Sequence, residues 1–257
     1  MQHDSDINFE EELSLLGIDY DDCQYLSDGS YGYFFVLVSD LDEEQENKLE
    51  SHPDYTKLLD DVWYRALQNP TEIPKELRNQ IIDFKKAKEQ ERIRSQYSQK
   101  ITQVWCTIVR LKLNIYESFI DSLKNNKFPA SKETELIASK LGSVLAENKE
   151  SFKLFCRDMY CYFQEFDPSI FTKYKKHKFP KYIEILRHTN IHDDESYYNE
   201  RKYVKRIRIK KDIFEDLVGK RDIDDYSDFN IDCLELQIQL LTLCLEWLEW
   251  IYKDVKK

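Results

Sequence analysis

The chain has 257 residues, 41% of them hydrophobic and 34% charged, with only 5 Gly and 6 Pro; this composition supports a sizeable folded core and excludes a disordered or collagen-like chain. Its 14% aromatic content and long stretches without turn signals favour helices over a sandwich of short strands, so the expected class is mainly α. The net charge of −11 argues against indiscriminate nucleic-acid binding, but it averages two opposite regions: residues 1–61 hold 18 Asp or Glu against Lys48 and Lys57, whereas residues 173–211 hold 13 Lys or Arg against 5 acids.

Read in chain order, the acidic start is followed by Ser27-Asp28-Gly29-Ser30 and the aromatic, β-branched run Tyr31 to Val38, which predicts a hairpin. Leu41 to His52 and Asp54 to Gln68 predict two short helices, the second carrying Leu58, Leu59, Val62, Trp63 and Leu67 on one face. Asn69-Pro70 and Ile73-Pro74 end that pattern, and residues 1–72 are expected to form an acidic N-terminal region of mixed α and β structure. From Lys75 to about Asn125 no Pro or Gly occurs while Ile81, Phe84, Ile101, Trp105, Ile108 and Ile115 recur at helical spacing, predicting one very long helix or two with a kink.

A second long helix is predicted from Ser131 to Phe166 on Leu136, Leu141, Leu145, Phe152, Phe155, Met159 and Phe163. A third stretch starts at Ser169, is interrupted at Pro180 and runs on through Ile183 and Leu186 to His192. Residues 203–209 alternate, with Ile207 and Ile209 on one side and Arg206, Arg208 and Lys210 on the other, and predict a short strand or extended arm. Asn230 to Lys256 is a helix with a broad apolar face, so residues 73–257 are expected to form a helical bundle with a basic arm at 202–211.

The six cysteines form no C-x-x-C pair and sit mostly among apolar residues, so neither disulfides nor a structural zinc are expected, and no metal or other cofactor is implied. The longest uncharged apolar run, Leu236 to Leu245, is too short to span a bilayer, and no apolar leader follows Met1; a soluble cytoplasmic protein without a membrane partner is expected.

One motif could carry chemistry. Arg187-His188-Thr189-Asn190-Ile191-His192 reads Arg-His-x-x-x-His at the end of an apolar helical pattern. Chance alone would give an Arg-x4-His with Asn, Asp or His after the Arg roughly 0.03 times in a chain of this composition. Here the sequence resembles the HEPN superfamily, all-α domains marked by Arg-x4-6-His. The resemblance implies a HEPN-like four-helix bundle in which Arg187 and His192 occupy the two catalytic positions and His188 the polar position between them. It further implies a metal-independent endoribonuclease, working as a homodimer with two motifs across a shared cleft, in a toxin or antiphage-defence setting.

The residues themselves suit that chemistry. A histidine near neutral pKa can take a proton from an RNA 2′-hydroxyl or give one to the leaving 5′-oxygen, while a permanently charged guanidinium braces the phosphate oxygens. Lys202, Lys205, Arg206, Arg208, Lys210 and Lys211 follow closely, with Tyr203 interleaved, a pattern suited to tracking single-stranded RNA. Two other readings stand beside this one. An Arg and two His at a helix end can simply serve the negative end of the helix dipole, and the basic run can be a solvated face. On that view the protein is a non-catalytic helical dimer that binds a regulatory protein partner, or RNA, with the acidic N-terminal region as a docking face.

Overall fold

The computed structural model describes residues 9–27, 32–58, 62–66, 75–120, 132–164, 173–191, 200–222 and 229–256. The chain divides into two compact units, residues 1–89 and 90–257, with the division inside one long helix.

In the first unit the elements run α1 (Phe9–Leu16), β1 (Gln24–Ser27), β2 (Gly32–Leu37), α2 (Glu43–Ser51), β3 (Thr56–Leu58), β4 (Val62–Ala66) and the first turns of α3 (Lys75–Ile120). The four strands form one sheet of order β1-β2-β4-β3 with antiparallel neighbours. The pleat sends alternate residues of β2 to opposite faces. Val36 packs with Leu13, Leu16, Ile18, Leu49, Tyr55 and Trp63, while Phe35 and Leu37 pack with Val62 and Ile81 of α3. That second contact is why the first turns of α3 belong to this unit.

Local chemistry sets the helix ends. Gly17 takes φ +76° after α1, and the Ile18 N–H returns to the Leu13 carbonyl at 2.9 Å, a glycine-dependent C-terminal cap. Asp42 and Gln45 close a reciprocal capping box at the start of α2, each backbone N–H bonding the other's side chain at 2.8 Å. Buried Arg65 on β4 pairs with Glu12 of α1 and with Asp54 at 3.2 Å, fastening α1 to the sheet.

The hairpin expectation is met by β1 and β2, and the first short helix by α2. The second short helix is not: residues 56–58 and 62–66 are β3 and β4. Leu58, Val62 and Trp63 do fit helical spacing, but Val62-Trp63-Tyr64 is β-branched and aromatic. Pairing with β2 buries Val62 and Trp63 on opposite faces of the sheet, so tertiary pairing overrides the local pattern.

The second unit comprises the rest of α3 with α4 (Lys132–Leu141), α5 (Lys149–Gln164), α6 (Lys178–Ile191), α7 (Glu200–Val218) and α8 (Ile231–Val255). One core unites them: Ile101, Trp105, Ile108 and Ile115 of α3 meet Phe152, Met159 and Phe163 of α5, Phe179, Ile183 and Leu186 of α6, Ile213 and Phe214 of α7, and the inner face of α8. At its centre Trp247 meets Phe163 edge-on at 5.6 Å, and Phe163 meets Phe179 in the same manner at 5.4 Å. The protein is mainly α with a small sheet, as expected.

Three expectations need correction here. The helix predicted from Ser131 to Phe166 is two helices parted at 142–148. Gly142 lies so close to Trp105 that a Cβ there would sit 2.4 Å from the indole Cδ1, and Asn148 caps α5 by accepting from the Ser151 N–H at 2.9 Å. Buried Gln237 of α8 holds the connection, accepting from the Ala146 N–H at 2.7 Å and donating to the Val144 carbonyl at 2.8 Å. Pro180 does not interrupt a helix; it stands in the first turn of α6, where its missing N–H would have had no intrahelical partner. Residues 203–209 are not a strand or extended arm but the first half of α7. Their short alternation continues into Ile209, Ile213, Phe214 and Leu217, which face the core at helical spacing.

Candidate functional site

Helices α6 and α7 run antiparallel. Lys178 and Tyr182, in the first turns of α6, both bind Asp216 near the end of α7, at 2.9 and 2.8 Å, so the last turn of α6 lies toward the start of α7. Those contacts hold the Asp216 carboxyl below its ordinary pKa, the Lys178 hydrogen bond contributing most, and the tyrosine hydroxyl rises to about 12 through burial and its bond to that carboxylate. The pairing thus carries the Arg187-His188 end of α6 toward the basic first half of α7.

Arg187 is half-buried, with its guanidinium carbon 4.1 Å from the ring centre of Tyr160 on α5. Its Nε is buried and has no hydrogen-bond partner among the described residues. A guanidinium lying over an aromatic face is held in orientation without its donors being used up. His188 is half-buried at the next position, and His192 lies outside the described residues, so the structure places one half of the Arg-His pair.

The six basic residues proposed from the sequence separate into distinct groups. Lys205, Arg206 and Arg208 are exposed on α7 and make no ion pair among the described residues. Lys210 lies over Phe214 at 5.6 Å, Lys211 is paired with Asp222 at 2.6 Å, and the side chain of Lys202 lies outside the described residues. Elsewhere in this region most cations are neutralised: Lys175 by Glu184, Lys178 by Asp216, Lys220 by Asp232 and Arg221 by Asp212. Lys176 and Lys181 are exposed as well, outside α7. The open charge of α7 is therefore confined to its N-terminal half.

Sequence reasoning missed Tyr160, which sits on a different helix from the motif and carries no signature of its own. It also missed the sequestration of Lys211, because Asp222 follows α7 and only the fold brings it back. Cys156, Cys233 and Cys244 are buried as core residues, and burial pushes the Cys244 thiol well above its ordinary value. Among the described residues no group of three His, Cys, Asp or Glu side chains is placed to hold a metal ion, and no helix is long and apolar enough to cross a membrane. No protein-family model matches the chain, and neither curated proteins nor solved structures give a match.

Proposed function

We propose that the protein is a metal-independent endoribonuclease of the HEPN type, acting on single-stranded RNA as a toxin or antiphage effector. The observation that carries this reading is the set of exposed cations at the start of α7, without ion-pair partners among the described residues, on the helix packed antiparallel to α6, whose end holds Arg187 with an Nε donor that none of those residues satisfies. Phosphates tracking along Lys205, Arg206 and Arg208 approach that end, and Arg187 then offers hydrogen bonds and charge to a scissile phosphate.

In the proposed reaction the 2′-oxygen attacks its own 3′-phosphorus while a general base takes the 2′-hydroxyl proton. The bond from phosphorus to the 5′-oxygen breaks as a general acid protonates the leaving oxygen. Products are a 2′,3′-cyclic phosphate and a 5′-hydroxyl, and DNA, lacking the nucleophile, is not cut. His192 serves as one proton-transfer group and His188 assists; in a homodimer the second copy supplies the complementary group.

RNA affinity measured by fluorescence anisotropy across a salt series tests the interface. Replacing Lys205, Arg206 and Arg208 by Glu removes three phosphate contacts, which for a single strand should reduce the slope of log K against log salt by about 2. Replacing Lys211 by Ala should leave the slope close to the parent's, since Asp222 already occupies that cation. An unchanged slope in the triple variant overturns the interface. A second reading draws on the Tyr160 stack: Arg187 anchors the end of α6 in a non-catalytic protein that binds a partner. Identification of the RNA product ends separates the two.

A further inference from the structure

The sheet of the first unit has β1 at one edge, and the outer side of that strand has no backbone partner among the described residues. Exposed edges in native proteins are usually blunted by Lys, Pro, a bulge or an inward charge. Gln24-Tyr25-Leu26-Ser27 carries none of these, and its pairing with β2 runs in unbroken register from Gln24↔Phe35 to Ser27↔Gly32.

An exposed ring cluster stands at this same edge. Tyr25 is 52% exposed and Tyr20 is 48% exposed, and both meet the half-buried Phe34, at 5.3 and 6.1 Å between ring centres. Directly before the strand, the turn that carries Tyr20 holds Asp19, Asp21 and Asp22; the first two are exposed and the third half-exposed. The edge is therefore aromatic and flanked by negative charge.

We propose that β1 is a docking edge for an extended peptide bearing Lys or Arg, which adds to the sheet as a further antiparallel or parallel strand. Backbone hydrogen bonds to Gln24–Ser27 supply the strand pairing, Tyr20, Phe34 and Tyr25 receive a cationic or aliphatic side chain on their ring faces, and Asp19, Asp21 and Asp22 select positive charge. A second copy of β1 is the other occupant that an open edge invites. Two-fold pairing of two β1 strands is antiparallel and sets the aspartates of the two copies at opposite ends of the interface, where the facing copy offers them no cation from β1, so charge complementarity favours the basic peptide. This inference stands apart from the RNA reading and involves none of its residues.

The test uses the whole 257-residue chain and a dye-labelled synthetic peptide of alternating Lys and Val, read by fluorescence anisotropy. Two comparison peptides are the same sequence N-methylated at every residue, which has no N–H left to pair along either edge, and an alternating Glu and Val peptide. Tyr25→Lys places a blunting charge on the edge, and Glu43→Lys makes a change of like sign on exposed α2; thermal melts establish that both variants fold. The expected result is binding of the Lys-Val peptide alone, weakened about tenfold or more by Tyr25→Lys and no more than about threefold by Glu43→Lys. No binding, equal binding of the N-methylated peptide or equal weakening by both variants would overturn the proposal. So would parent self-association that Tyr25→Lys abolishes, because it would assign the edge to a second copy.

Discussion

Replacing Gln237 by Leu probes the joint on which the helical unit depends. The Gln237 side chain is fully buried and satisfies two backbone groups of the 142–148 connection, the Ala146 N–H at 2.7 Å and the Val144 carbonyl at 2.8 Å. Leucine matches the volume and removes both bonds. Ala146 is itself buried, so its N–H is stranded, at a cost of roughly 1–3 kcal/mol. Val144 is 50% exposed, so water can reach its carbonyl and the loss there is smaller, about 0.5–1 kcal/mol. Burying extra methyl surface in place of an amide returns part of this, leaving a net destabilisation of about 2 kcal/mol. For a unit of this size that lowers Tm by roughly 4–8 °C. Circular dichroism melts of the parent, Gln237→Leu and Gln239→Leu provide the assay. Gln239 is half-buried and among the described residues bonds Glu235 alone, on its own helix, so its replacement should shift Tm by little. Equal melting of all three proteins would refute the view that Gln237 ties α8 to the connection.

Gly142→Ala should destabilise by about 1–2 kcal/mol in urea unfolding, because the new Cβ meets the buried Trp105 ring and overpacking outweighs the entropy gained by losing a glycine; a stabilised variant would show that the indole can move aside. His177 accepts from the Phe179 N–H through Nδ1 at 3.3 Å and stacks on Trp250, and desolvation lowers its pKa below the ordinary 6.5 despite Glu246, with Lys178 acting in the same direction as burial. The unfolded chain then binds this proton more readily. His177 adds no penalty well above pH 6.5, and stability falls as pH drops through 6.5 toward the lower folded value. Urea midpoints from pH 8 to 5 should decline more steeply for the parent than for His177→Asn, and parallel declines would contradict this assignment.

How much of this was legible in the sequence follows from where the information lies. The periodic runs of α3 and α8 are long enough that the apolar face alone predicts each helix, and Pro and Gly are absent from both. The small sheet was half legible: β1 and β2 flank a turn signal, but β3 and β4 have only a few residues each, and their identity comes from pairing, β4 with β2 and β3 with β4. The break at 142–148 rests on Gly142 fitting against Trp105 and on Gln237 from a distant helix, neither visible in a local window. In the α7 region, Ile207 and Ile209 alternating with Arg206, Arg208 and Lys210 imitated a strand, while Ile213, Phe214 and Leu217 carried the helical continuation. For the site, Arg187 and the basic run were marked by residue type and spacing. The Tyr160 stack and the ion pairs that separate occupied from open cations arise only when α5, α6 and α7 pack.

The most direct test of the ribonuclease reading incubates purified parent, Arg187→Ala and His192→Ala proteins with mixed single-stranded RNA in EDTA and identifies the product ends. The account predicts cleavage by the parent alone, leaving 2′,3′-cyclic phosphate and 5′-hydroxyl termini, with both variants folded and inactive. Equal cleavage by all three proteins, or an intact substrate with a parent that binds RNA in the same buffer, would contradict it.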